Sequence, residues 1–416
     1  MKNAPKSLRL QIGIFGRTNV GKSSFLNMVC GQDFAITSHV PGTTTDVVEK
    51  TMELLPVGPV VFLDTAGVDD TSTLSGLRVN KGRKIFDRSD IILIVTEPEK
   101  WEKYEDGIIK EAEERRIPVI AVINKSDIIP PTDDFIKRIG KKTQGVLVCS
   151  SLNTAGRDDY VDVLKQYLIG LCPEDFMKPP VLAGSLVPEN GMVLMIVPID
   201  MEAPRGRIIL PLVQMIRETL DNNASAIIVK ETGYLEQLGK LTTPPDLVIC
   251  DSQVVARMVE ETPPNVACTT FSIVFAGNKG DLAGMVAAVA IIKKLKPGDN
   301  ILIAEACSHH PIGDDIGRIK IPEWLEEYVG GSLNISTCAG RDFPEDIESY
   351  KLIIHCGGCM ITRREMLSRL RLAGKRSIPM TNYGVCISYL EGVLERVLSP
   401  FPDALKAFKE SEKERK

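Results

Sequence analysis

The chain has 416 residues, 44% hydrophobic and 25% charged, with a formal net charge of −5 at pH 7. Those proportions fit a soluble globular protein of two to four domains, each long enough to bury its own core. The acidic balance argues against nucleic acid as the main partner, and no stretch reaches the ~18 apolar residues that a membrane span requires.

The opening apolar stretch runs straight into a phosphate loop rather than a cleavage site, so a cytoplasmic protein without a signal peptide is expected. To about residue 171, short apolar runs at 8–15, 60–64, 91–95, 119–124 and 146–149 read as buried strands separated by helices. That alternation predicts a parallel sheet covered on both faces. Residues 172–180, with three prolines, read as a linker. A smaller unit at 181–264 is expected to hold strands at 191–198, 226–230 and 246–250 and helices at 208–220 and 252–260. It carries no cluster of catalytic side chains, and its few elements predict packing against a second copy as a homodimer. A third unit at 267–402 is expected to hold strands at 271–276, 300–306 and 351–355 and helices at 282–295 and 387–398. The predicted class is α/β throughout, a P-loop nucleotide domain at 1–171 followed by two smaller α/β domains.

Gly16-Arg-Thr-Asn-Val-Gly21-Lys22-Ser23 follows a predicted strand and opens a predicted helix, the context in which GxxxxGK[ST] is specific. The backbone amides of Gly16, Asn19, Val20, Gly21, Lys22, Ser23 and Ser24 would curl around the phosphates at a helix N-terminus. Lys22 should reach the β- and γ-phosphates, and the Ser23 hydroxyl should bind Mg²⁺. Asp64-Thr-Ala-Gly67 ends a strand, which places Asp64 near Mg²⁺ and the Gly67 amide against the γ-phosphate. Asn124-Lys125-Ser-Asp127 ends another strand. An Asp127 carboxylate there can accept N1–H and N2–H of guanine, donors that adenine does not offer together, while the Lys125 stem covers the base. Ser150 and Ser151 follow the next strand, where a backbone amide meets the guanine carbonyl. The ligand is therefore GTP, with Mg²⁺.

This order and spacing resemble those of the translation-factor-related GTPases. Pro41-Gly-Thr-Thr44-Thr-Asp46 resembles the first switch of the Era-like and tRNA-modifying GTPases. Thr44 is the chosen switch threonine on Mg²⁺, with Thr43 as the alternative. Val68 follows Gly67, so a water-positioning glutamine is absent there. Asn19 matches the asparagine with which some of these enzymes hold K⁺ beside the phosphates. Lys22, Asn19 and Thr44 are the expected catalytic set, and slow hydrolysis, faster in K⁺ than in Na⁺, is expected. Asn19 hydrogen-bonding its own loop is the plainer reading. Asn278-Lys-Gly-Asp281 also spells NKxD but lacks a companion phosphate loop, so it reads as a turn into the next helix.

Three of the four histidines and three of the ten cysteines lie in Cys307-Ser-His309-His310 and His355-Cys356-Gly-Gly-Cys359. Cys307 and Cys356 each close a predicted strand, and parallel strands end along one edge, where ligands bind. Soft thiolates with imidazole nearby suit an iron–sulfur cluster or tetrahedral zinc, and the residues alone leave both open. His309 is the better fourth ligand, with Glu305 a weaker one. His310 reads as a neighbour, and His355 as either a ligand or a hydrogen-bonding support. The remaining cysteines, Cys30, Cys149, Cys172, Cys250, Cys268, Cys338 and Cys386, read as buried thiols.

The whole pattern, a GTPase domain, a middle domain, and then CxH, about 45 residues and HCxxC, resembles the GTPase maturation factors of FeFe-hydrogenase, the HydF family. The resemblance implies that Cys307, Cys356 and Cys359 bind a 4Fe–4S cluster with a labile fourth site, and that the middle domain dimerises. It also implies a two-iron precursor as cargo, assembled by two radical-SAM maturases and delivered to apo FeFe-hydrogenase. GTP would act through switches near 38–49 and 68–83 as a conformational signal. The alternative is a tRNA- or ribosome-associated GTPase with a structural zinc domain.

Overall fold

Branched apolar residues at successive positions make strands that can be buried only if helices cover both faces of their sheet. The computed structural model describes residues 8–31, 48–64, 82, 84–153, 155–177, 186–199, 209–306, 315–340, 343–344 and 346–413. They belong to two compact units, Met1–Pro179 and Pro180–Lys416. No described helix is long and apolar enough to cross a membrane.

The sheet of the first unit contains β1 (Leu10–Phe15), β2 (Val48–Leu54), β3 (Gly58–Asp64), β4 (Ile91–Thr96), β5 (Val119–Ile123) and β6 (Gly145–Val148), in the order β2-β3-β1-β4-β5-β6. Only β2 runs antiparallel. Side chains alternate between faces along each strand. Ile91, Leu93, Val95, Ile120 and Val122 pack on one face with Phe25 and Leu26 of the helix Lys22–Cys30 and Leu164 of the helix Arg157–Leu171. Ile92, Ile94, Ala121 and Ile123 pack on the other with Ile109 of the helix Lys103–Glu114 and Ile139 of the helix Asp133–Gly140. β2 does not alternate strongly enough in sequence to be expected as a strand; its edge position leaves one side of its backbone outside the ladder.

The second unit has two parallel sheets. One contains β7 (Met192–Ile196), β8 (Ser225–Val229), β9 (Leu247–Cys250) and β10 (Ala267–Thr270), in the order β10-β9-β7-β8. The other contains β11 (Asn300–Ala304), β12 (Asn334–Cys338), β13 (Leu352–His355) and β14 (Met380–Asn382), in the order β12-β11-β13-β14. One apolar cluster runs from Leu194 and Val248 of the first of these sheets to Ile303 and Ile353 of the second. That continuous core is why both sheets fall in one unit. Strand β10, inside the span read from sequence as the third domain, pairs with β9.

Two expected elements are corrected. The run at 271–276 is not a strand: Phe271–Lys279 is a helix, capped by Thr270, whose hydroxyl accepts from the Ile273 amide at 3.2 Å. A short apolar run buried all round looks the same in sequence as strand or helix, and the cap decides it. The helix expected at 387–398 is two, Tyr383–Leu390 and Leu394–Val397, parted at Gly392 with φ 70°. Of the cysteines expected to be buried, Cys149, Cys250, Cys268 and Cys386 are, whereas Cys30, Cys172 and Cys338 are half-buried.

Candidate functional site

In the first unit, the loop after β1 leads into the helix Lys22–Cys30 through Gly21, which has φ 92°. A Cβ on Gly21 would come within 2.3 Å of Asn124 Nδ2, so the approach requires glycine. Asn124, 1% exposed, donates from Nδ2 to Val20 O at 2.9 Å. Its Oδ1 accepts from the Ser151 amide at 3.0 Å and the Ser151 hydroxyl at 2.7 Å. One buried carboxamide thus ties the phosphate loop to the loops after β5 and β6. Lys22 Nζ donates to Gly16 O at 2.6 Å and Arg17 O at 3.0 Å. Asp64 closes β3 and Ser150 follows β6, both buried, while Ser23, Ser24 and Asp127 are exposed. Thr44 and Gly67, and the alternative Thr43, lie outside the described residues.

Asn19 is exposed, and its carbonyl accepts from Lys125 Nζ at 2.6 Å. Its φ of 64° is a left-handed conformation that asparagine tolerates better than most residues. Position 19 therefore has a backbone reason for asparagine independent of any cation. Sequence reasoning missed a second anchor. Arg17, within the phosphate loop, donates in fork geometry to both oxygens of fully buried Glu105 at 2.9 Å each, and to Glu102 at 3.0 Å. The hydrogen bond to Glu105 holds the Arg17 pKa above its ordinary value. Glu105 also accepts from the Glu102 amide at the start of the helix Lys103–Glu114, a capping pattern readable in sequence only as Glu-x-x-Glu.

In the second unit, β11 and β13 are neighbours, and Ala304 is in register with His355. Past this pair, the Ala306 amide donates to Cys356 Sγ at 3.1 Å. Gly358 has φ 66°, and a Cβ there would lie 2.6 Å from Met366 Cε, so the turn from Cys356 to Cys359 needs this glycine. Lys279, 5% exposed, donates to the carbonyls of Gly358 at 2.8 Å, Cys359 at 3.2 Å and Ile361 at 2.8 Å. Three acceptors satisfy the three ammonium donors. Burial pulls the Lys279 pKa down to about 8, with Cys359 and Cys356 opposing, and three carbonyl acceptors call for the ammonium form, since a neutral amine has only two donors. Burial pushes the Cys356 thiol up to about 11, against hydrogen bonds from the Gly358 and Ala306 amides. Burial also raises Cys359, opposed by Lys279. Both are thiols until a metal displaces their protons.

His355 is fully buried behind this loop. Its Nε2 faces Arg369 Nη1 at 2.9 Å and its Nδ1 faces Cys356 O at 2.7 Å. Arginine can only donate, so Nε2 accepts and the Nδ1–H donates to the carbonyl. Burial, then Arg369, lowers the His355 pKa to about 3. Of the two roles expected for His355, this geometry fits support of the loop: both ring nitrogens are committed. Glu305, 3% exposed, is held by Arg318 Nη2 at 2.8 Å. A cavity of ≈ 210 Å³ opens in front, lined by Cys356, Cys359, Glu305, Asp315, Phe275 and Ile316 among others. Among the described residues, no three His, Cys, Asp or Glu side chains converge as a metal centre; Cys307, His309 and His310 lie outside them. The donor chemistry at the loop, two sulfurs each with backbone amide donors, fits a thiolate-bound metal group.

The profile described as the hydrogen maturase F dimerization domain matches residues 182–280, and that of the hydrogen maturase F tetramerization domain matches 283–400. A 50S ribosome-binding GTPase profile matches 11–125. The chain belongs to the hydrogen maturase F family.

Its first unit is a GTPase domain, which brings GTP and Mg²⁺. Among curated relatives, the tRNA modification GTPase MnmE of Synechococcus sp. (strain JA-2-3B'a(2-13)) is 40% identical over 123 residues, 29% of this chain and 26% of that protein. MnmE of Bacillus subtilis (strain 168) is 34% identical over 153 residues, 36% and 33% of the two chains. The chain thus spans about a quarter to a third of these relatives. Among solved structures, a single-substitution variant of Aquifex aeolicus Era bound to GDP·AlF₄⁻ is 22% identical, covering 53% of this chain and 92% of that one, with a TM-score of 0.32. The G domain of the T. maritima FeoB iron transporter is 19% identical, covering 40% and 99%, also with a TM-score of 0.32.

Within this hydrogen maturase F chain, the Asn278-Lys-Gly-Asp281 motif begins in the last turn of the helix Phe271–Lys279, not after a strand. Asp281 caps the helix Leu282–Val289 by accepting from the Gly284 amide at 2.9 Å, as the sequence suggested, while Lys279 goes to the cysteine loop. Arg318, Arg369 and Lys279 were not foreseen as site residues. The one available signal was a lysine closing the largely apolar segment FSIVFAGNK.

Proposed function

We propose that this chain is a GTP-regulated carrier of a metal cluster, using Cys307, Cys356 and Cys359 to hold a 4Fe–4S cluster. His309 is the candidate fourth ligand. The cargo is the two-iron precursor of the FeFe-hydrogenase active site, received from two radical-SAM maturases and passed to apo-hydrogenase. The observation carrying this reading is the cysteine loop itself: two sulfurs on a glycine-dependent turn at a strand edge, facing a cavity. An iron with an exchangeable ligand supplies reversible attachment of cargo. Around it, the Ala306 amide donates to the Cys356 sulfur, Arg369 and His355 brace the loop from behind, and Arg318 keeps Glu305 in place.

The test is iron content and low-temperature EPR of dithionite-reduced protein, reconstituted without oxygen. About four irons per chain and a spin-half 4Fe–4S signal are expected. Tightly bound zinc with no cluster would sink the carrier reading. The second reading would then lead, a tRNA-associated GTPase with a structural zinc domain, which draws on the tRNA modification relatives of the GTPase domain.

Hydrolysis is expected to be slow, and several-fold faster in K⁺ than in Na⁺, with Asn19 and Lys22 at the phosphates and Thr44 on Mg²⁺. Phosphate release measured in the two chlorides checks this; equal rates would remove the K⁺ role and leave Asn19 with its backbone role alone. The homodimer is proposed through the middle domain, where Val213, Leu220, Ile228 and Leu235 are 47%, 57%, 46% and 58% exposed, an apolar exposure that a second copy would cover.

A further inference from the structure

The Asn278-Lys-Gly-Asp281 motif has no place in the nucleotide site, yet its lysine lies buried against the cysteine loop. The carbonyls of Gly358, Cys359 and Ile361 converge on Lys279 Nζ, and the Phe275 ring centroid lies 5.6 Å from it. Amides come from the other side: that of Gly358 in the same loop and that of Ala306 past β11 reach the Cys356 sulfur. Carbonyls on an ammonium and amides on a sulfur give the turn a fixed polarity.

Resting on the cluster-carrier reading above, we infer that Lys279 is a positioning residue for that loop. It ties three carbonyls so that the Cys356 and Cys359 sulfurs are presented together, and it keeps a buried positive charge beside the anionic group they hold. Removing the tie loosens the turn. Removing the charge alone disfavours the more negative, reduced state of a bound cluster.

Two variants separate the effects: K279M removes tie and charge, whereas K279Q keeps two donors without the charge. Alkylation of metal-free protein by iodoacetamide, read by mass spectrometry, reports on the loop; Cys386, fully buried in the helix Tyr383–Leu390, reports on the fold. Rates are compared at the high-pH plateau of each protein, where the thiol is ionised and the lost Lys279 charge no longer sets the thiolate fraction; there Cys359 is expected to react at least ~10-fold faster in K279M, and less so in K279Q, with Cys386 unchanged. The midpoint potential of reconstituted K279Q is expected to be more negative than that of the parent. Cys359 rates within two-fold of the parent in both variants would overturn the tie, and an unshifted potential would overturn the charge role. Should Cys386 also become reactive in K279M, K279Q decides. Should the parent protein take up no iron, the carrier reading falls by itself and alkylation alone decides the tie.

Discussion

Asn124→Ala is expected to weaken GTP binding on the order of 100-fold and to lower the thermal midpoint of the GTPase domain. The side chain is 1% exposed and holds Val20 O together with the Ser151 amide and hydroxyl. Truncation leaves the buried Val20 carbonyl and the half-buried Ser151 amide without these partners, at roughly 1–3 kcal/mol each. A loss of about 2.7 kcal/mol in the binding-competent arrangement corresponds to roughly 100-fold in affinity. For a domain of this size it lowers the midpoint by roughly 5–10 °C. Asp127→Ala makes the contrast, because Asp127 is exposed: affinity should fall with the midpoint nearly unchanged. Titration with a fluorescent GTP analogue beside thermal unfolding separates the two. Asn124→Ala protein that binds within three-fold of the parent would show that the three loops are held together by other means.

Cys356→Ala and Cys359→Ala are each expected to abolish the 4Fe–4S signal after reconstitution, whereas Cys386→Ala retains it. All three remove a sulfur from the same unit, and Cys386 is as deeply buried as any core residue, so loss of packing is matched by the control. Truncation of a small core side chain costs only ~1 kcal/mol or so, which leaves the unit folded. The Cys356 sulfur accepts the Ala306 amide, so Cys356→Ala also frees the segment leading to Cys307 in the sequence. Iron retention by Cys356→Ala equal to that of Cys386→Ala would place the metal elsewhere.

Much of the candidate nucleotide site was legible because its residues are close together in the chain. Gly16 to Ser24 form one contiguous loop and helix start, Asp64 ends a strand, and Asn124 and Ser150 follow strands, all with apolar runs visible by themselves. The role of Asn124 as a tie was not legible, since it bonds residues 104 and 27 positions away. The Arg17–Glu105 anchor was missed for the same reason, spanning 88 positions. Edge and short strands β2, β10, β12 and β14 were also missed: they bury too little apolar surface to print a pattern, and they exist because a neighbouring strand offers hydrogen bonds.

By itself, the sequence determined that this chain is α/β, opens with a guanine-nucleotide loop and carries a cysteine loop at the end of a buried strand. Those facts rest on hydrophobic runs and on motifs whose residues are neighbours in the chain. Only the tertiary structure decided that the run after Thr270 is helical, that both small sheets share one core, and that Lys279 and Arg369 stand behind the cysteines. Each of those depends on which distant groups a buried side chain can reach, and a buried cation must find its acceptors wherever the fold supplies them.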